Sequence, residues 1–152
     1  MRQLVTAIAT GLYTGFIPTT PGTFGTMPAW LIAFFLVRGD QRLLVAVLAV
    51  SFLLSVWSAG KAEAFWGHDA KKIVIDEWVG MFVALVILPF TLKAYIIAFF
   101  AFRFFDVVKL WPAGASERLP GGWGVTMDDV VAGAQANIAT QVIVLVLAWL
   151  HW

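Results

Sequence analysis

The segment Ile73-Val-Ile-Asp-Glu-Trp-Val-Gly80 places two adjacent carboxylates, Asp76 and Glu77, where a charged loop gives way to an apolar run. Acidic side chains at the mouth of an apolar helix are costly to remove from water, so we expect them to be paired with cations or to bind one. First-turn acids that merely complement a helix dipole are the alternative. Adjacent helical residues point about 100° apart, which predicts that only one of the two faces a shared site.

The composition is that of a membrane-embedded protein. Hydrophobic residues make up 61% of the 152 residues, charged residues 12%, and the mean hydropathy is +0.89. Soluble domains average about 45–50% apolar and about 25% charged residues. The length suits one membrane-embedded domain over residues 1–152. The net charge of +1 gives no reason to expect nucleic acid as a partner, and the absence of cysteine excludes thiolate metal sites and a cysteine–phosphate intermediate.

Proline and glycine divide the apolar sequence into about six helices. The run after Met1-Arg-Gln stays uncharged to Val37 without a small-residue cleavage site, which favours mature structure over a signal peptide. We predict an all-α membrane-embedded bundle with helices at about 3–16, 28–37, 43–60, 76–88, 93–109 and 127–150. Loops at 17–27 and 110–125 and a polar segment at 61–72 join them. A spanning helix needs about 20 residues, so several of these helices are too short to cross the membrane alone. We expect some of them to be half-inserted or tilted.

The architecture depends on Pro89-Phe-Thr91. A straight helix from 76 to 106 would separate Asp76 from Asp106 by about 45 Å, at about 1.5 Å per residue. A turn at 89–92 instead returns Asp106 to the side of the bundle on which Asp76 lies. We favour the turn, because it brings acidic residues from separate helices to one face.

With that turn, the loops alternate between two sides of the bundle, and eight of the nine acidic residues fall on one of them. The eight are Glu63, Asp69, Asp76, Glu77, Asp106, Glu117, Asp128 and Asp129, and the exception is Asp40. Lysine and arginine favour the same side, six against four. The positive-inside rule then predicts that this side is the cytoplasmic face of a multi-pass protein.

Two further groups of charged residues belong to this face. Asp128 and Asp129 follow Thr126 in a pattern that fits a capping box, but capping needs only one acid and leaves the doubling unexplained. Arg103, Asp106 and Lys109 lie at i, i+3 and i+6, so that Asp106 can pair with both cations along one helix. An intrahelical ion-pair ladder is the alternative to a phosphate and metal site, which needs the same side chains.

The loop Pro21-Gly-Thr-Phe-Gly-Thr26 offers backbone N–H groups and hydroxyls to an anion just before a helix N-terminus. It lacks the lysine and the spacing of a P-loop, so a plain helix–loop–helix turn is equally compatible. His68 lies beside Asp69 in a polar loop, where a solvated histidine is the default.

Together these groups suit phosphate chemistry. Carboxylate oxygens are hard ligands for Mg²⁺, which is usually held by one or two carboxylates plus phosphate and water. Bound Mg²⁺ with lysine and arginine can stabilise a phosphate's developing charge while a carboxylate orients or deprotonates water. The sequence has no Cys-x₅-Arg, no Asp-x-Asp and only two histidines, which argues against other common phosphatase mechanisms.

Several of these stretches, taken in order, resemble the phosphatidylglycerophosphatase A family over about residues 11–135. They are Pro21-Gly-Thr-Phe-Gly25, His68-Asp69, Ile73 to Gly80, Phe102-Arg-Phe-Phe-Asp-Val-Val-Lys-Leu-Trp-Pro112, Gly121-Gly-Trp-Gly124 and Met127-Asp-Asp-Val-Val-Ala-Gly133. The resemblance implies a Mg²⁺-dependent enzyme of the bacterial inner (cytoplasmic) membrane that removes the terminal phosphate of phosphatidylglycerophosphate, and an all-helical fold in which one helix is surrounded by others. The polar positions it carries over are Asp69, Asp76, Glu77, Asp106, Lys109, Asp128 and Asp129, with the loop around Thr23.

We therefore expect a lipid phosphatase that works at the membrane surface on phosphatidylglycerophosphate. The expected Mg²⁺ ligands are Asp76, Glu77, Asp106, Asp128 and Asp129. The expected phosphate- and substrate-binding residues are Arg103, Lys109, Gly22, Thr23, Thr26 and Asp69. The expected catalytic residues are Glu77, Asp128 and Lys109, with Glu77 and Asp128 as candidates for the general base.

Two alternatives come from other functional classes. A small transporter or ion-conducting protein could use the carboxylates as a cation site, and would spread charged residues through the membrane depth. A phospholipid transferase would use the same phosphate chemistry with an alcohol in place of water.

Overall fold

The computed structural model describes residues 1–67 and 70–150, and all regular structure within those ranges is helical. The α-helices are α1 (Arg2–Ala9), α2 (Pro21–Leu31), α3 (Gln41–Trp66), α4 (Ile75–Leu85), α5 (Leu92–Val108), α6 (Ala113–Ser116) and α7 (Gly122–Trp149). A 3₁₀ turn (Thr14–Phe16) precedes α2, and a π-helix (Ile32–Val37) continues it. The all-helical prediction is confirmed, with seven α-helices in these ranges, one of them a single turn, in place of about six.

Helix α4 is the central element. Nine of its eleven residues are buried, and α1, α2, α3, α5 and α7 all contact it. Its backbone meets that of α7 closely at Gly80 and Gly133, where a Cβ on Gly133 would lie 2.3 Å from the Gly80 carbonyl oxygen. Small residues at such crossings let two helices approach, as in membrane bundles. The expected arrangement of one helix surrounded by others is confirmed.

The chain reverses at Pro89, as the sequence predicts. Helix α4 ends at Leu85, Ile87 has a positive φ of 63°, and α5 begins after Thr91, whose hydroxyl accepts a hydrogen bond from the Ala94 N–H at 3.2 Å. From α7, the Asn137 amide donates to the carbonyls of Ala84 (2.9 Å) and Val86 (2.6 Å). These bonds satisfy carbonyl groups that the end of α4 would otherwise leave unpaired.

Within the described ranges, two helices are long and apolar enough to cross a membrane. The most apolar 18-residue windows of α3 and α7 have mean hydropathies of 2.2 and 1.8, and only 28% and 22% of those windows are buried inside the protein. Their outer faces expose large apolar side chains, such as Leu53 and Leu145. Core helices of soluble proteins bury most of their apolar surface, so these helices indicate a membrane protein.

The predicted helix at 3–16 is wrong beyond its first half. Helix α1 ends at Ala9, and Gly11, Leu12 and Tyr13 all have positive φ angles. The Thr10 hydroxyl donates to the Thr6 carbonyl at 2.7 Å and accepts from the Tyr13 N–H at 3.1 Å. A threonine that bonds to the local backbone in this way competes with helix continuation.

The predicted loop at 17–27 is wrong from residue 21 onward, and the predicted helix at 28–37 ends where expected but begins seven residues earlier. Helix α2 starts at Pro21 and passes through Pro28 before it becomes the π-helix that ends at Val37. Proline is well suited to the first helical position, because its φ is already helical and its missing N–H would be unpaired there anyway. The pattern Pro21 to Thr26 is therefore the first turns of a helix rather than a loop before one.

Two other boundaries differ from the prediction. Helix α3 continues six residues past Gly60 to Trp66, and α7 begins at Gly122 instead of near 127. A Cβ on Gly122 would lie 2.0 Å from the Val56 carbonyl oxygen of α3. Close packing between α3 and α7 thus outweighs the low helix propensity of glycine, and Thr126 lies inside α7 rather than at its cap.

Candidate active site

Acidic and basic side chains from three helices and from the segments beside them line one cavity of about 320 Å³, and a fourth helix, α2, forms part of its wall. It lies where the first turns of α2, α4 and α7 meet the last turn of α5. Its polar and charged side chains come from Lys71, Asp76, Glu77, Arg103, Asp106, Lys109, Asp128 and Asp129, and Gly22 completes the wall with Pro21, Ile73 and Val107. All five predicted metal-ligating acids and both predicted phosphate-binding cations are therefore brought together.

Arg103 holds three helices together at this cavity. Its Nη1 lies 2.7 Å from Asp106 Oδ2 in the same helix, which confirms the predicted i, i+3 pair. The same nitrogen lies 3.3 Å from Glu77 Oε2 of α4 and donates to the Thr26 hydroxyl of α2 at 3.2 Å. A guanidinium suits this position because its several N–H donors are held in a fixed plane.

Helix α2 contributes through Gly22 and Thr26. The Thr26 hydroxyl is 2.9 Å from Glu77 Oε2 and 2.8 Å from the Gly22 carbonyl, so its proton can be donated to either. A Cβ on Gly22 would lie 2.5 Å from both Arg103 Nη2 and Glu77 Oε1. Gly22 therefore lets the ion pair reach the backbone of α2. Thr26 contacts the site residues without lining the cavity itself.

Lys109 follows α5 in a left-handed conformation, with φ of 48°. Its Nζ forms ion pairs with Asp128, at 2.8 Å from Oδ2, and with Glu117. Glu117 is absent from the predicted site residues, although it is one of the eight acids assigned to this face. A non-glycine residue with positive φ is uncommon and is held there by its surroundings, here by its two acidic partners.

Both members of each acidic pair line the cavity, so the expectation that only one of Asp76 and Glu77 would face it is wrong. The four side chains of the two pairs are buried. Asp76 Oδ1 accepts from the Glu77 N–H at 3.1 Å, and Asp128 Oδ1 accepts from the Asp129 N–H at 3.0 Å. These bonds turn the first acid of each pair back towards its neighbour, which lets two adjacent residues share one wall.

The electrostatics of the cavity favour a cation. Burial raises the pKa of Glu77 from 4.5 to about 8; Arg103 lowers it in part, and Asp106 raises it further. Five acidic side chains face three basic ones in the lining. An excess of hard carboxylate oxygens in a partly buried cavity suits a hard cation such as Mg²⁺.

The carboxylates do not converge on one point, however. Across residues 1–67 and 70–150, no three histidine, cysteine or acidic side chains lie close enough together to bind a single ion. Arg103 and Lys109 hold three of the acids, Glu77, Asp106 and Asp128. Because Mg²⁺ often takes only one or two protein carboxylates and completes its shell with water and phosphate, the donor set fits the ion without such a cluster.

The structure and the prediction differ at Thr23 and Lys71. Thr23 is not among the residues that line the cavity, and it lies in the first turn of α2 instead of in an anion-binding loop. Asp69, with its neighbour His68, lies outside the described residues. Lys71 lines the cavity but was not predicted as a site residue; its position in the polar segment just before Asp76 was the available signal.

Comparison with known proteins gives concordant results. The sequence model of a family described as phosphatidylglycerophosphatase A matches residues 7–144. The chain is 39% identical to a Bacteroides thetaiotaomicron protein provisionally named a phosphatidylinositol-3-phosphatase, over 89% of this chain and 90% of the relative. It is 34% identical to phosphatidylglycerophosphatase A of Haemophilus influenzae, over 95% and 88%, and 33% identical to that of Escherichia coli, over 83% and 75%. No solved structure matches the chain significantly.

Proposed function

The chain belongs to the phosphatidylglycerophosphatase A family, and on that premise we propose that it is a membrane lipid phosphatase that hydrolyses the terminal phosphate of phosphatidylglycerophosphate. The observation that carries the proposal is the convergence of five carboxylates with Arg103 and Lys109 on one cavity. Cations to bind phosphate and acids to bind a metal and activate water are the parts that phosphoryl transfer requires.

We assign the phosphate group to Arg103 and Lys109. Their ion pairs with Glu77, Asp106 and Asp128 hold both cations at the cavity wall. The buried Nε of Arg103 has no hydrogen-bond partner within the described part of the chain, so the guanidinium keeps a donor for a further acceptor. Charge-assisted bonds from such groups would bind the oxygens of a phosphate monoester.

Magnesium dependence is part of the proposal. Asp76, Glu77, Asp106, Asp128 and Asp129 are the residues that would hold Mg²⁺, and their excess over the cations in the lining supports this assignment. When bound, the ion would supply charge stabilisation at the phosphate and acidify a coordinated water.

The reaction is a hydrolysis of a phosphate monoester. A water oxygen forms a bond to phosphorus while the bond between phosphorus and the glycerol oxygen breaks, and that oxygen leaves with the electron pair. Glu77 or Asp128 would accept the proton of the water, and Lys109 would stabilise negative charge on the phosphate oxygens. Protonation of the leaving oxygen completes phosphatidylglycerol, and inorganic phosphate is the second product.

The proposed location is the bacterial inner membrane, with the cavity at the cytoplasmic face of a multi-pass protein. Helices α3 and α7 supply two candidate spans, and Pro21–Val37 is a shorter apolar helix. The first turns of α7 contribute to the cavity, which places the chemistry near one end of an apolar helix. The end of a spanning helix lies at the membrane surface, which is also where the headgroup of a lipid substrate lies.

The first test is phosphate release from phosphatidylglycerophosphate by the purified protein, with Mg²⁺ and with a chelator. We expect Asp76→Asn, Asp106→Asn and Asp128→Asn each to lower kcat by at least about a hundredfold. Asp40→Asn is the matched control, because Asp40 caps α3 away from the cavity and asparagine caps equally well. Full activity in the three variants would contradict the assigned site residues. Activity that does not change when the chelator is added would contradict the proposed Mg²⁺ dependence.

The relatives are named for different phospholipid substrates, so the substrate needs a test of its own. The Bacteroides relative is named for a phosphoinositide, so phosphatidylinositol 3-phosphate belongs in the same assay. We expect phosphatidylglycerophosphate to be hydrolysed with the higher kcat/KM. Faster hydrolysis of the phosphoinositide would overturn that substrate while leaving a lipid phosphatase.

The charge distribution argues against a conducting protein. In the described part of the chain, five of the acids line one cavity, and the acids do not form a path through the apolar helices. Mg²⁺ flux into liposomes without phosphatase activity would reverse this assignment. An increase in substrate turnover on addition of alcohols would indicate a transferase.

A further inference from the structure

A second cavity, of about 450 Å³, adjoins the candidate active site. It is formed by the loop that runs from Gly15 to Pro21 and by Lys71 and Lys72. Pro21 and Lys71 line both cavities. The two cavities therefore meet at Pro21 and Lys71, and one side chain, Lys71, is in reach of both.

The lining of the second cavity combines positive charge with apolar surface. Lys72 Nζ lies 5.7 Å from the ring centroid of Phe16 and 5.9 Å from that of Trp66, so two aromatic faces hold an ammonium group at the wall. Phe16, Ile17 and Pro18 supply the apolar part. This combination suits an anionic group attached to the glycerol backbone of a lipid, where charge and hydrocarbon meet.

Resting on the proposed function, we propose that the second cavity binds the phosphodiester of the substrate and that Lys71 selects lipids with two phosphate groups. Phosphatidylglycerophosphate carries a phosphodiester next to its diacylglycerol and a monoester at the end of its headgroup. With the monoester held by Arg103 and Lys109 in the first cavity, the diester would be in reach of Lys71, which lines both cavities. Phosphatidylinositol 3-phosphate has the same pair of groups, whereas phosphatidic acid has a monoester alone.

The test compares Lys71→Gln with the wild-type protein on phosphatidylglycerophosphate and phosphatidic acid in mixed micelles at fixed lipid fraction. Where phosphatidic acid turns over too slowly, its inhibition constant replaces KM. We expect the variant to raise KM for phosphatidylglycerophosphate by about fivefold, the effect of one screened charge contact, with little change in kcat and none in the binding of phosphatidic acid. Lys71→Arg should restore the wild-type KM, because it keeps the charge.

Lys93→Gln is the control, since Lys93 is an exposed lysine at the start of α5 and lines neither cavity. Equal losses on both lipids would show that Lys71 acts on the monoester and would overturn the inference, as would an unchanged KM. A wild-type protein that hydrolyses neither phosphatidylglycerophosphate nor the phosphoinositide would instead contradict the proposed function itself. The two failures are therefore distinguishable.

Discussion

Glu77 is a side chain whose surroundings change greatly when the chain folds. In water its pKa is near 4.5, and burial beside Asp106 raises it to about 8 despite the nearby Arg103. The proton is therefore bound more tightly in the folded state than in the unfolded one. The folded protein loses stability as the pH rises from 4.5 to about 8, because the carboxylate must then be ionised in a buried position.

This gives a prediction for the protein without divalent metal. In the presence of a chelator, we expect the thermal stability of wild-type protein in detergent to fall with pH over that range, and Glu77→Gln to reduce the slope. At low pH the two proteins should unfold at similar temperatures, and above about pH 8 the variant should be the more stable. Asp40→Asn, at an exposed cap, should keep the wild-type slope. If the unfolding temperatures of wild type and Glu77→Gln changed in parallel with pH, the assigned cost of burying the ionised Glu77 carboxylate would be contradicted.

The residue types and their spacing in the sequence were sufficient to predict most of the charged side chains that line the cavity. The doubled acids and the Arg103–Asp106 spacing were predicted, and all of these residues line it. The sequence paired Lys109 with Asp106 and did not predict its partners Asp128 and Glu117, because Asp128 lies in α7 and Glu117 directly follows α6, and both reach Lys109 only when these helices pack together with α5. Ion pairs between helices depend on distances that sequence spacing does not contain.

At the scale of elements, the crossing of α4 and α7 positions Asp76 and Glu77 opposite Asp128 and Asp129. Gly80 and Gly133 set how closely the two helices approach. Helix boundaries were the weaker part of the prediction, since Pro21 and Gly122 both read as loop residues and both begin helices. Local propensity could not show that Gly122 packs against the Val56 carbonyl.

A methyl group at this crossing tests its importance. Gly133→Ala would place a Cβ 2.3 Å from the Gly80 carbonyl oxygen, so the two helices must separate. We expect a loss of about 1–3 kcal/mol in stability and a fall in phosphatase activity. In Gly114→Ala the new Cβ would be 3.5 Å from its nearest neighbour, and this control should behave as wild type. Equal stability of the two variants in thermal unfolding would show that the crossing tolerates separation.

At the scale of the molecule, the apolar surface of α3 and α7 indicates where lipid contacts the protein. Leu53 lies near the middle of α3 and is 69% exposed. An arginine at the centre of a spanning helix costs about 2.5–3.5 kcal/mol for insertion. We therefore expect Leu53→Arg to lower the fraction of protein recovered in carbonate-washed membranes.

The control for this prediction is Leu119→Arg. Leu119 is 43% exposed and lies between α6 and α7, outside both candidate spans, so its replacement should leave membrane recovery unchanged. Similar recovery of the two variants would mean that the outer face of α3 is not in contact with the hydrocarbon core.

The sequence by itself determined the membrane class, the all-helical fold, the reversal at Pro89 and the gathering of acids on one side. These follow from composition, proline position and helical rise, which are properties of short segments. Only the tertiary structure decided that both acids of each pair face the cavity, that Arg103 joins α2, α4 and α5, and that Lys71 lines two adjoining cavities. Those features depend on how closely helices pack, and packing distances are set by side chains that lie far apart in the chain.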